Sequence, residues 1–440
     1  MLKRVGSVLE LARPNLARLS LGFEGRGYVE RIVLDVAERG DEALLEYTAK
    51  PPPFDNVRLG PEELKVAEEE IEAAAGKVGE EYLKAMRYSI RNLERVSRAQ
   101  LEKVPFKLRV DEGVRYARVA RPMRRVGIVV PGGLAPYPSS LLMAAVPALV
   151  AGVEEIAVCT PPKPGKEIHP AILAAARQLG LDEIYRCNLV AAVGAMAFGT
   201  KTIRPVEKIV GPGNAYVSAA KQVVSGFGVA IDMPAGPSEL AVIADETADA
   251  RAIAWDIMAQ AEHSEESKVF LITTSERLAR EVDDEITAQV GRLRRREIAR
   301  RSLEKNGFVL VVDDAEKAVE ACNRISPEHV SIQTKDAAKL QKRVESCGTV
   351  LVGKNSACAI ADYASGSSHI LPTGGFASVR GGISVNDFIR LISIQEFSVK
   401  AAKARESAKK LAELEGLEAH ALSIDSRMRA RSLHNVYNKR

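Results

Sequence analysis

From residue 125 onward, short apolar runs alternate with longer segments of helical periodicity. Val126-Gly-Ile-Val-Val130 ends at Pro131-Gly-Gly, and Ser139 and Ser140 offer an N-cap for a helix reaching Leu149. The rhythm continues through a strand at Glu155-Ile-Ala-Val-Cys159, a helix over 170–177, a strand at Glu183-Ile-Tyr185, a helix over 190–198, a strand at Lys208-Ile-Val210 and a helix over 215–224. A second series opens at Glu239-Leu-Ala-Val-Ile-Ala244. It runs through a helix over 250–260, a strand over 269–273, a long helix over 276–305, a strand over 308–312 and a helix over 315–323. A strand over 330–333, a helix over 336–345 and a strand over 349–352 complete it. Apolar runs of strand length separated by such helices predict βαβ units and parallel sheets. The fold class expected is α/β: two doubly wound, Rossmann-like parallel-sheet domains, a duplicated module without GxGxxG, with helical N- and C-terminal segments.

The flanks lack this rhythm. Residues 1–120 read as mostly helical and charge-rich, broken by a loop at Pro51-Pro-Pro-Phe-Asp55, and 384–414 reads as helical with Gly416 as its C-cap. The strand–helix series also carries a geometric expectation. In a βαβ unit the end of a helix and the start of the next strand lie at one edge of the sheet. Gln260 and His263 close a helix while Glu328 and His329 open a strand, so both pairs are expected at the amino edge of the second sheet. Open α/β sheets ordinarily bind ligands at the carboxyl edge. The placement makes sense if the carboxyl edge of the first sheet, with its Pro131-Gly-Gly and Gly211-Pro-Gly-Asn214 turns, faces the second across a cleft.

Composition narrows the class. A chain of 440 residues, 46% hydrophobic and 27% charged, reads as a soluble globular protein of two or more domains. A net charge of +4 on 62 basic and 58 acidic residues gives little long-range pull toward polyanions. The arginine-rich stretch over 292–301 reads as a solvated helix face, because no aromatics interleave its cations as a nucleic-acid stacking platform needs. Five cysteines without a CxxC argue for reduced thiols rather than a disulfide framework. The N-terminus lacks the apolar core of a signal peptide, and no apolar run has the length of a membrane span. The expectation is a cytoplasmic protein with a small-molecule substrate and neither a nucleic-acid nor a membrane partner.

Histidine is scarce, so its placement is informative. Four of the six histidines lie in polar clusters: Gln260-Ala-Glu-His263, Ser326-Pro-Glu-His329, Asp362-Tyr-Ala-Ser-Gly-Ser-Ser-His369 and Glu415-Gly-Leu-Glu-Ala-His420. Neutral imidazole supplies a metal's lone pair, and carboxylate supplies charge. Gln260 and His263, three apart, share a helix face. With Asp362 and His420 they offer two imidazoles, a carboxylate and an amide oxygen, a set suited to zinc first, with manganese or cobalt as rivals. A polar helix end capped by His263 explains the first pair equally well. Glu328-His329 can activate water and move protons near neutral pH. Adjacent strand residues point to opposite faces, so both serve one site only if Pro327 makes the strand start irregular; a solvent-facing strand start is the plain alternative. Gly211-Pro-Gly-Asn214 either offers N–H groups to a phosphate or is an ordinary βα turn. Asp232-Met-Pro-Ala-Gly-Pro-Ser238 holds Ser238 at a sharp turn, for structure or for contact with substrate.

In their order along the chain these motifs resemble histidinol dehydrogenases, the enzymes of the last two steps of histidine biosynthesis. The resemblance runs from Arg39-Gly-Asp-Glu-Ala-Leu-Leu-Glu-Tyr47 to His420 and includes Val130-Pro-Gly-Gly, Pro138-Ser-Ser, Ala197-Phe-Gly-Thr200, Gly211-Pro-Gly-Asn214, Ala235-Gly-Pro-Ser-Glu239, Pro327-Glu-His329 and His369-Ile-Leu-Pro-Thr-Gly-Gly375. It implies a zinc-dependent, NAD-linked, four-electron oxidation of L-histidinol to L-histidine through bound L-histidinal. One Zn2+ per subunit would be held by Gln260, His263, Asp362 and His420, the last supplied by the other subunit of a domain-swapped homodimer. Ser238, Tyr363, His369 and Glu415 match substrate-contacting positions, joined by the ligands Gln260, His263 and His420. His329 would take the alcohol proton as hydride leaves to NAD, and Glu328 would then activate water at the bound aldehyde.

The resemblance also divides the chain. It implies an N-terminal helical segment (1–25), a first Rossmann-like domain with the metal and catalytic residues (26–128 plus 238–380), a second on the nucleotide side (129–237) and a C-terminal helical segment (381–440). On the nucleotide side Asn214 is retained. The family often carries an aromatic where this chain has Val129, and a Gly-Gly-Ala-Gln stretch where it reads Asn188-Leu-Val-Ala191. Two other readings keep parts of this picture: a related zinc/NAD dehydrogenase of another small alcohol, and a non-catalytic zinc-binding homologue. Tyr363, His369 and Glu415 argue against the first, and the Glu328-His329 pair against the second.

Overall fold

The computed structural model describes residues 1–11, 23–51, 54–132, 136–234 and 236–437. Most of the expected N-terminal helical segment (12–22), Pro52 and Pro53 of the 51–55 loop, Gly133 and Ala235 lie outside the described residues. In chain order the described strands are β1 (Lys3–Val5), β2 (Phe106–Asp111), β3 (Val114–Pro122), β4 (Arg125–Val129), β5 (Glu155–Thr160), β6 (Ile184–Arg186), β7 (Lys208–Val210), β8 (Ala230–Ile231), β9 (Glu239–Ala244), β10 (Lys268–Thr273), β11 (Gly307–Val311), β12 (His329–Gln333), β13 (Thr349–Val352) and β14 (Ile389–Phe397).

Two parallel sheets carry the α/β fold. One is five-stranded in the order β6-β5-β4-β7-β8, the other six-stranded in the order β1-β11-β10-β9-β12-β13. Setting β1 aside, each series lays down its strands as third, second, first, fourth, fifth, the doubly wound order. The duplication legible in the strand–helix rhythm is therefore a duplication of topology. Central strands of such sheets are covered on both faces, which is why they read as continuous apolar runs. Along β9, Leu240, Val242 and Ala244 pack against Ile253, Ile257 and Leu278, while Ala241 and Ile243 pack against Val319, Cys322 and Leu340. Helix starts are set locally: Asn188, Asn214, Asp249, Ser275 and Asp314 each cap a helix with a side-chain oxygen. The helix Pro138–Ala151 instead begins with its proline after Tyr137, so Ser139 and Ser140 lie in its first turn rather than at the cap.

Several flanking expectations are corrected. Lys3–Val5 is a strand, pairing in parallel with β11 at the sheet edge, where a helical segment was expected. Three residues are too few to show a period of two, and the partner lies some three hundred residues away in sequence. Residues 106–122 and 389–397 are strands as well, joined in a sheet of order β14-β3-β2. The expected helix over 276–305 is two helices, Glu276–Gln289 and Arg296–Asn306, separated by a 3-10 turn. That over 336–345 shortens to the single turn Ala337–Leu340 and a 3-10 turn.

The packing also divides the chain differently from the expected domains. Val29, Val33, Val36 and Leu44 pack against Ala192, Val193 and Met196 of the five-stranded sheet's layer, so this part of 26–128 does not belong with the six-stranded sheet. Strand β4 begins the five-stranded sheet at Arg125, ahead of the expected boundary at 129. Met1–Gln100 with Pro122–Phe388 form one unit, and Leu101–Arg121 with Ile389–Arg440 form a second. The second unit contains β14 and the helices Ala402–Leu414 and Glu418–Tyr437. The Gly416 stop holds: at φ 72° it lets the Leu417 N–H reach back to the Ala412 carbonyl (2.8 Å). Among the described residues, no helix is long and apolar enough to cross a membrane.

Candidate active site

Three adjacent strands deliver their first residues to one place. Glu239, Lys268 and His329 open β9, β10 and β12, with Lys268 in register with Glu239 and His329 with Leu240. The helix Ala250–Ala261 ends at the same edge, bringing Gln260, which is buried, and His263, whose N–H bonds the Gln260 carbonyl at 3.3 Å. His263 feels the charges of Asp362, His329 and His369, and burial holds its pKa below the usual imidazole value. Both sequence pairs thus meet at the amino edge of the six-stranded sheet.

Glu328 and His329 serve one site despite being neighbours. Ser326 ends the preceding helix in the left-handed conformation (φ 51°), and Pro327 follows, so the chain turns sharply into β12. Glu328 Oε2 accepts the Glu239 N–H at 2.9 Å and lies 3.7 Å from His329 Nδ1. Burial pushes the Glu328 carboxyl up to about 7, although the His329 charge pulls the other way. His329 Nδ1 faces the Glu239 carbonyl at 3.3 Å, and Nε2 faces Asp362 Oδ1 at 3.0 Å. A carbonyl and a carboxylate are both acceptors, an arrangement that favours a proton on each ring nitrogen. The His329 pKa accordingly lies well above the usual value: burial opposes the charge, but Glu328 and Asp362 outweigh it. Burial likewise acts to raise Asp362, and the His329 contact more than offsets it, leaving that carboxyl low.

Asp362 organises its surroundings with backbone and side chain. Its carbonyl accepts from His369 Nδ1 at 2.8 Å, which leaves His369 Nε2 to accept from the Ser140 hydroxyl at 3.2 Å. Burial keeps His369 low in pKa, consistent with a neutral ring. Ser140 belongs to the helix that follows β4, so the carboxyl side of the five-stranded sheet does meet the amino edge of the six-stranded one. Tyr363 stands edge-on to His369 with centroids 6.5 Å apart and is exposed. Ser238, half-buried just before β9, gives its carbonyl to the Lys268 N–H at 2.9 Å. Glu239 is spoken for, bonding Lys268 at 3.0 Å and the Gly374 N–H at 3.0 Å.

Two side chains were not read as chemistry in the sequence. Ser140 enters the sequence reading only as a helix-start serine and as part of the Pro138-Ser-Ser motif, with no chemical role attached. Cys358 does carry a signal: it lies four residues before Asp362 in the helix Cys358–Tyr363, a spacing that shares a face. Its Sγ is 3.8 Å from Asp362 Oδ2. His329, Cys358 and Asp362 offer ligand atoms all within 4.8 Å of one another, a group that could hold a metal ion.

The remaining predicted residues are placed elsewhere. Val129 and Ala191 have no exposed surface and belong to the core around the five-stranded sheet, so neither can present a side chain to a nucleotide as the structure stands. Asn214 is exposed, and its Oδ1 is occupied as an N-cap by the Tyr216 and Val217 N–H groups, both at 3.1 Å. Gly211 sits at φ 121°, where a Cβ would meet the Val129 carbonyl oxygen at 2.2 Å, and its N–H bonds buried Asp232 at 2.8 Å. That loop reads here as a tightly pinned βα turn. Glu415 and His420 lie in the second unit, Glu415 as the C-cap of Ala402–Leu414 and His420 in Glu418–Tyr437, both exposed.

The donors at the amino edge fit a borderline divalent cation: imidazole from His263, carboxylate from Asp362 and amide oxygen from buried Gln260. Comparisons with known proteins identify the family. The family model described as histidinol dehydrogenase matches residues 24–428. The histidinol dehydrogenase of Methanosarcina mazei is 41% identical over 429 residues, covering 97% of this chain and 98% of that protein. That of Methanopyrus kandleri is 42% identical over 404 residues, covering 91% and 93%. A crystal structure of histidinol dehydrogenase from Elizabethkingia anophelis superposes with a TM-score of 0.92 at 35% identity, covering 98% of this chain and 99% of that one. With its doubled sheet, its buried Glu-His pair and these relatives along nearly its whole length, the chain belongs to the histidinol dehydrogenase family, a family of oxidoreductases.

Proposed function

We propose that this chain oxidises L-histidinol to L-histidine through bound L-histidinal, with NAD as oxidant and one zinc ion per subunit. The reading is carried by one observation beyond family membership: at one sheet edge His329 bonds Asp362, the Asp362 carbonyl accepts from His369, and buried Glu328, held by the Glu239 N–H, lies 3.7 Å from His329. Gln260, His263 and Asp362, with His420 from a second subunit, would hold the metal. When bound, zinc supplies Lewis acidity and orients the substrate, and NAD accepts hydride.

The chain's own residues do the rest. His329 takes the alcohol proton at Nε2, which requires that nitrogen to have lost the proton it now gives Asp362. Ligation by Asp362 and base function of His329 therefore go together. Glu328, with a pKa near neutrality, takes a proton from water attacking the aldehyde. His369, Tyr363 and Ser238 would contact the substrate, joined by Glu415 from the second subunit. Burial of the Glu-His pair excludes bulk water and protects the aldehyde between steps.

A homodimer completes the proposal. The second unit exposes Leu108, Val110, Leu391, Ile394, Phe397, Leu411 and Leu414, an apolar surface that a second copy would cover. The test is absorbance of reduced nicotinamide with L-histidinol and NAD, before and after a chelator. The expectation is about two NADH per histidinol, lost on chelation and restored by zinc. Zinc-loaded protein silent with both NAD and NADP overturns it. Asn214, Val129 and Ala191 would flank the nucleotide only if the five-stranded sheet's carboxyl edge opens.

A further inference from the structure

Asp256 lies one helical turn back from Gln260, at a point where three elements of the site run side by side. It belongs to the helix Ala250–Ala261, and its spacing of four puts it on the face that carries Gln260. Its Oδ2 accepts from Gln333 Nε2 at 3.1 Å. The same carboxylate accepts the N–H of Cys358, the first residue of the helix that carries Asp362 one turn later. Gln333 closes β12, the strand that His329 opens, and alternation puts His329, Ser331 and Gln333 on one face. Gln333 Nε2 also reaches Ser331 Oγ at 3.2 Å, so the amide is tied to its own strand as well.

Chain direction makes this junction possible. A crossover helix between parallel strands runs antiparallel to them. A step back from Gln260 toward the helix start is therefore a step forward along β12, from His329 toward Gln333. The helix Cys358–Tyr363 has six residues and is too short to hold its own geometry, so its place is set from outside. It needs setting at both ends. Its Asp362 faces His329 Nε2 at 3.0 Å, and its Cys358 thiol, raised in pKa by burial, hydrogen-bonds the same imidazole. Burial works against the Asp256 charge too, pushing that carboxyl up to about 6 despite both of its donors.

We infer that Asp256 is a positioning residue of the proposed metal site, fixing the helix that brings Asp362 against the helix that brings Gln260 and the strand that brings His329. The inference rests on that site and adds no donor to it. Asp256 acts by holding Gln260 and Asp362 at the separation that a shared ion requires, through hydrogen bonds to the elements that carry them.

Zinc affinity of the full-length protein, measured by competition with a chromophoric chelator, tests this beside thermal melting of the metal-free protein. Asp256→Ala is expected to weaken zinc binding by about 10–100-fold, the loss typical of an outer-shell partner. Asp256→Asn is expected to recover most of that affinity. Its amide oxygen still accepts the Cys358 N–H, and Gln333 Oε1, buried without a partner among the described residues, can turn to accept from its amide nitrogen. A purely structural Asp256 would lower the Tm of metal-free Asp256→Ala and leave its zinc affinity at the wild-type value, which overturns the inference. An Asp256→Asn variant as weak as Asp256→Ala overturns it as well, because the hydrogen bonds would then not be the agent. If Asp256→Ala does not fold, Gln333→Met carries the test by removing one anchor: a several-fold weaker zinc affinity supports the inference, and an unchanged one overturns it. Wild type without stoichiometric zinc binding overturns the metal site itself and the inference with it.

Discussion

The two sheets share one strand order and use the same edge in opposite ways. At the amino edge of the five-stranded sheet, Arg125 binds Glu155 at 3.0 Å and Glu183 at 2.6 Å, and the Tyr185 hydroxyl bonds Glu183 at 2.6 Å. Burial would raise Glu183, but Arg125 outweighs it and keeps the carboxylate charged. A guanidinium does not titrate, so this edge is a fixed, closed set of ion pairs. At the amino edge of the six-stranded sheet, Lys268 neutralises Glu239 in the same manner, but the neighbouring positions hold Glu328, His329 and, from outside the sheet, Asp362 and His369. Of these, Glu328, pushed up to about 7 by burial, can exchange a proton near neutrality. The difference teaches that the doubly wound fold supplies the edge, and that replacing a guanidinium by imidazoles turns a clasp into a candidate site.

Breaking the reactive edge should have the largest effect. His263→Asn is expected to abolish zinc retention after dialysis together with turnover, read by metal analysis beside NADH formation; a metal-depleted variant with full activity would falsify the assignment. Next comes Glu328→Gln, expected to slow oxidation of L-histidinal by about 10²–10⁴-fold, far more than oxidation of L-histidinol. Single-turnover measurements of the two half-reactions decide it, and equal losses sink the division of labour between Glu328 and His329.

At the closed edge the expected loss is stability. Arg125→Met should cost about 3 kcal/mol, the low end for a broken buried pair, because Arg204 still reaches Glu155 at 3.1 Å and Glu183 at 3.8 Å. Thermal melting measures it, with kcat of the folded protein unchanged; a large drop in kcat without a lower Tm would erase the contrast between the edges. The pH dependence sharpens it further. Glu328 works as a base only when ionised, and its pKa is raised to about 7, so the L-histidinal half-reaction should fall as pH drops below that value. The limb should approach tenfold per pH unit and flatten in the Glu328→Gln variant. The smallest change is expected from Ser140→Ala. It removes one hydrogen bond of about 0.5–1.5 kcal/mol from His369, a several-fold rise in KM at near-constant kcat.

Much of the first unit was legible before folding. Continuous runs such as β9, buried at every position, mark strands covered on both faces, and Asn188, Asn214 and Asp249 mark the helices between them. The flanks were not legible. β14 opens Ile389-Arg-Leu-Ile-Ser-Ile without a clean period of two, and it is exposed over nearly its whole length, so its apolar residues point to no core within the chain. β1 is held by pairing with β11 and by the Met1 amino group on Asp283 at 2.7 Å, contacts with no local signature.

For the site, the scarcity of histidine drew attention to Gln260, His263, Glu328, His329, Asp362, His369, Glu415 and His420, while spacing alone left plain alternatives open for the Gln260–His263 and Glu328–His329 pairs. The shared amino edge also followed from sequence, because chain direction in a βαβ unit dictates where helices end and strands begin. What tertiary structure alone decided is which atoms meet. It set both His329 nitrogens on acceptors, put Ser140 and Cys358 within reach of the histidine–aspartate group, and buried Val129 and Ala191 in the core. Hydrogen bonds and ligand contacts are settled at a resolution of tenths of an ångström between distant segments, and no local pattern of residues encodes distances of that kind.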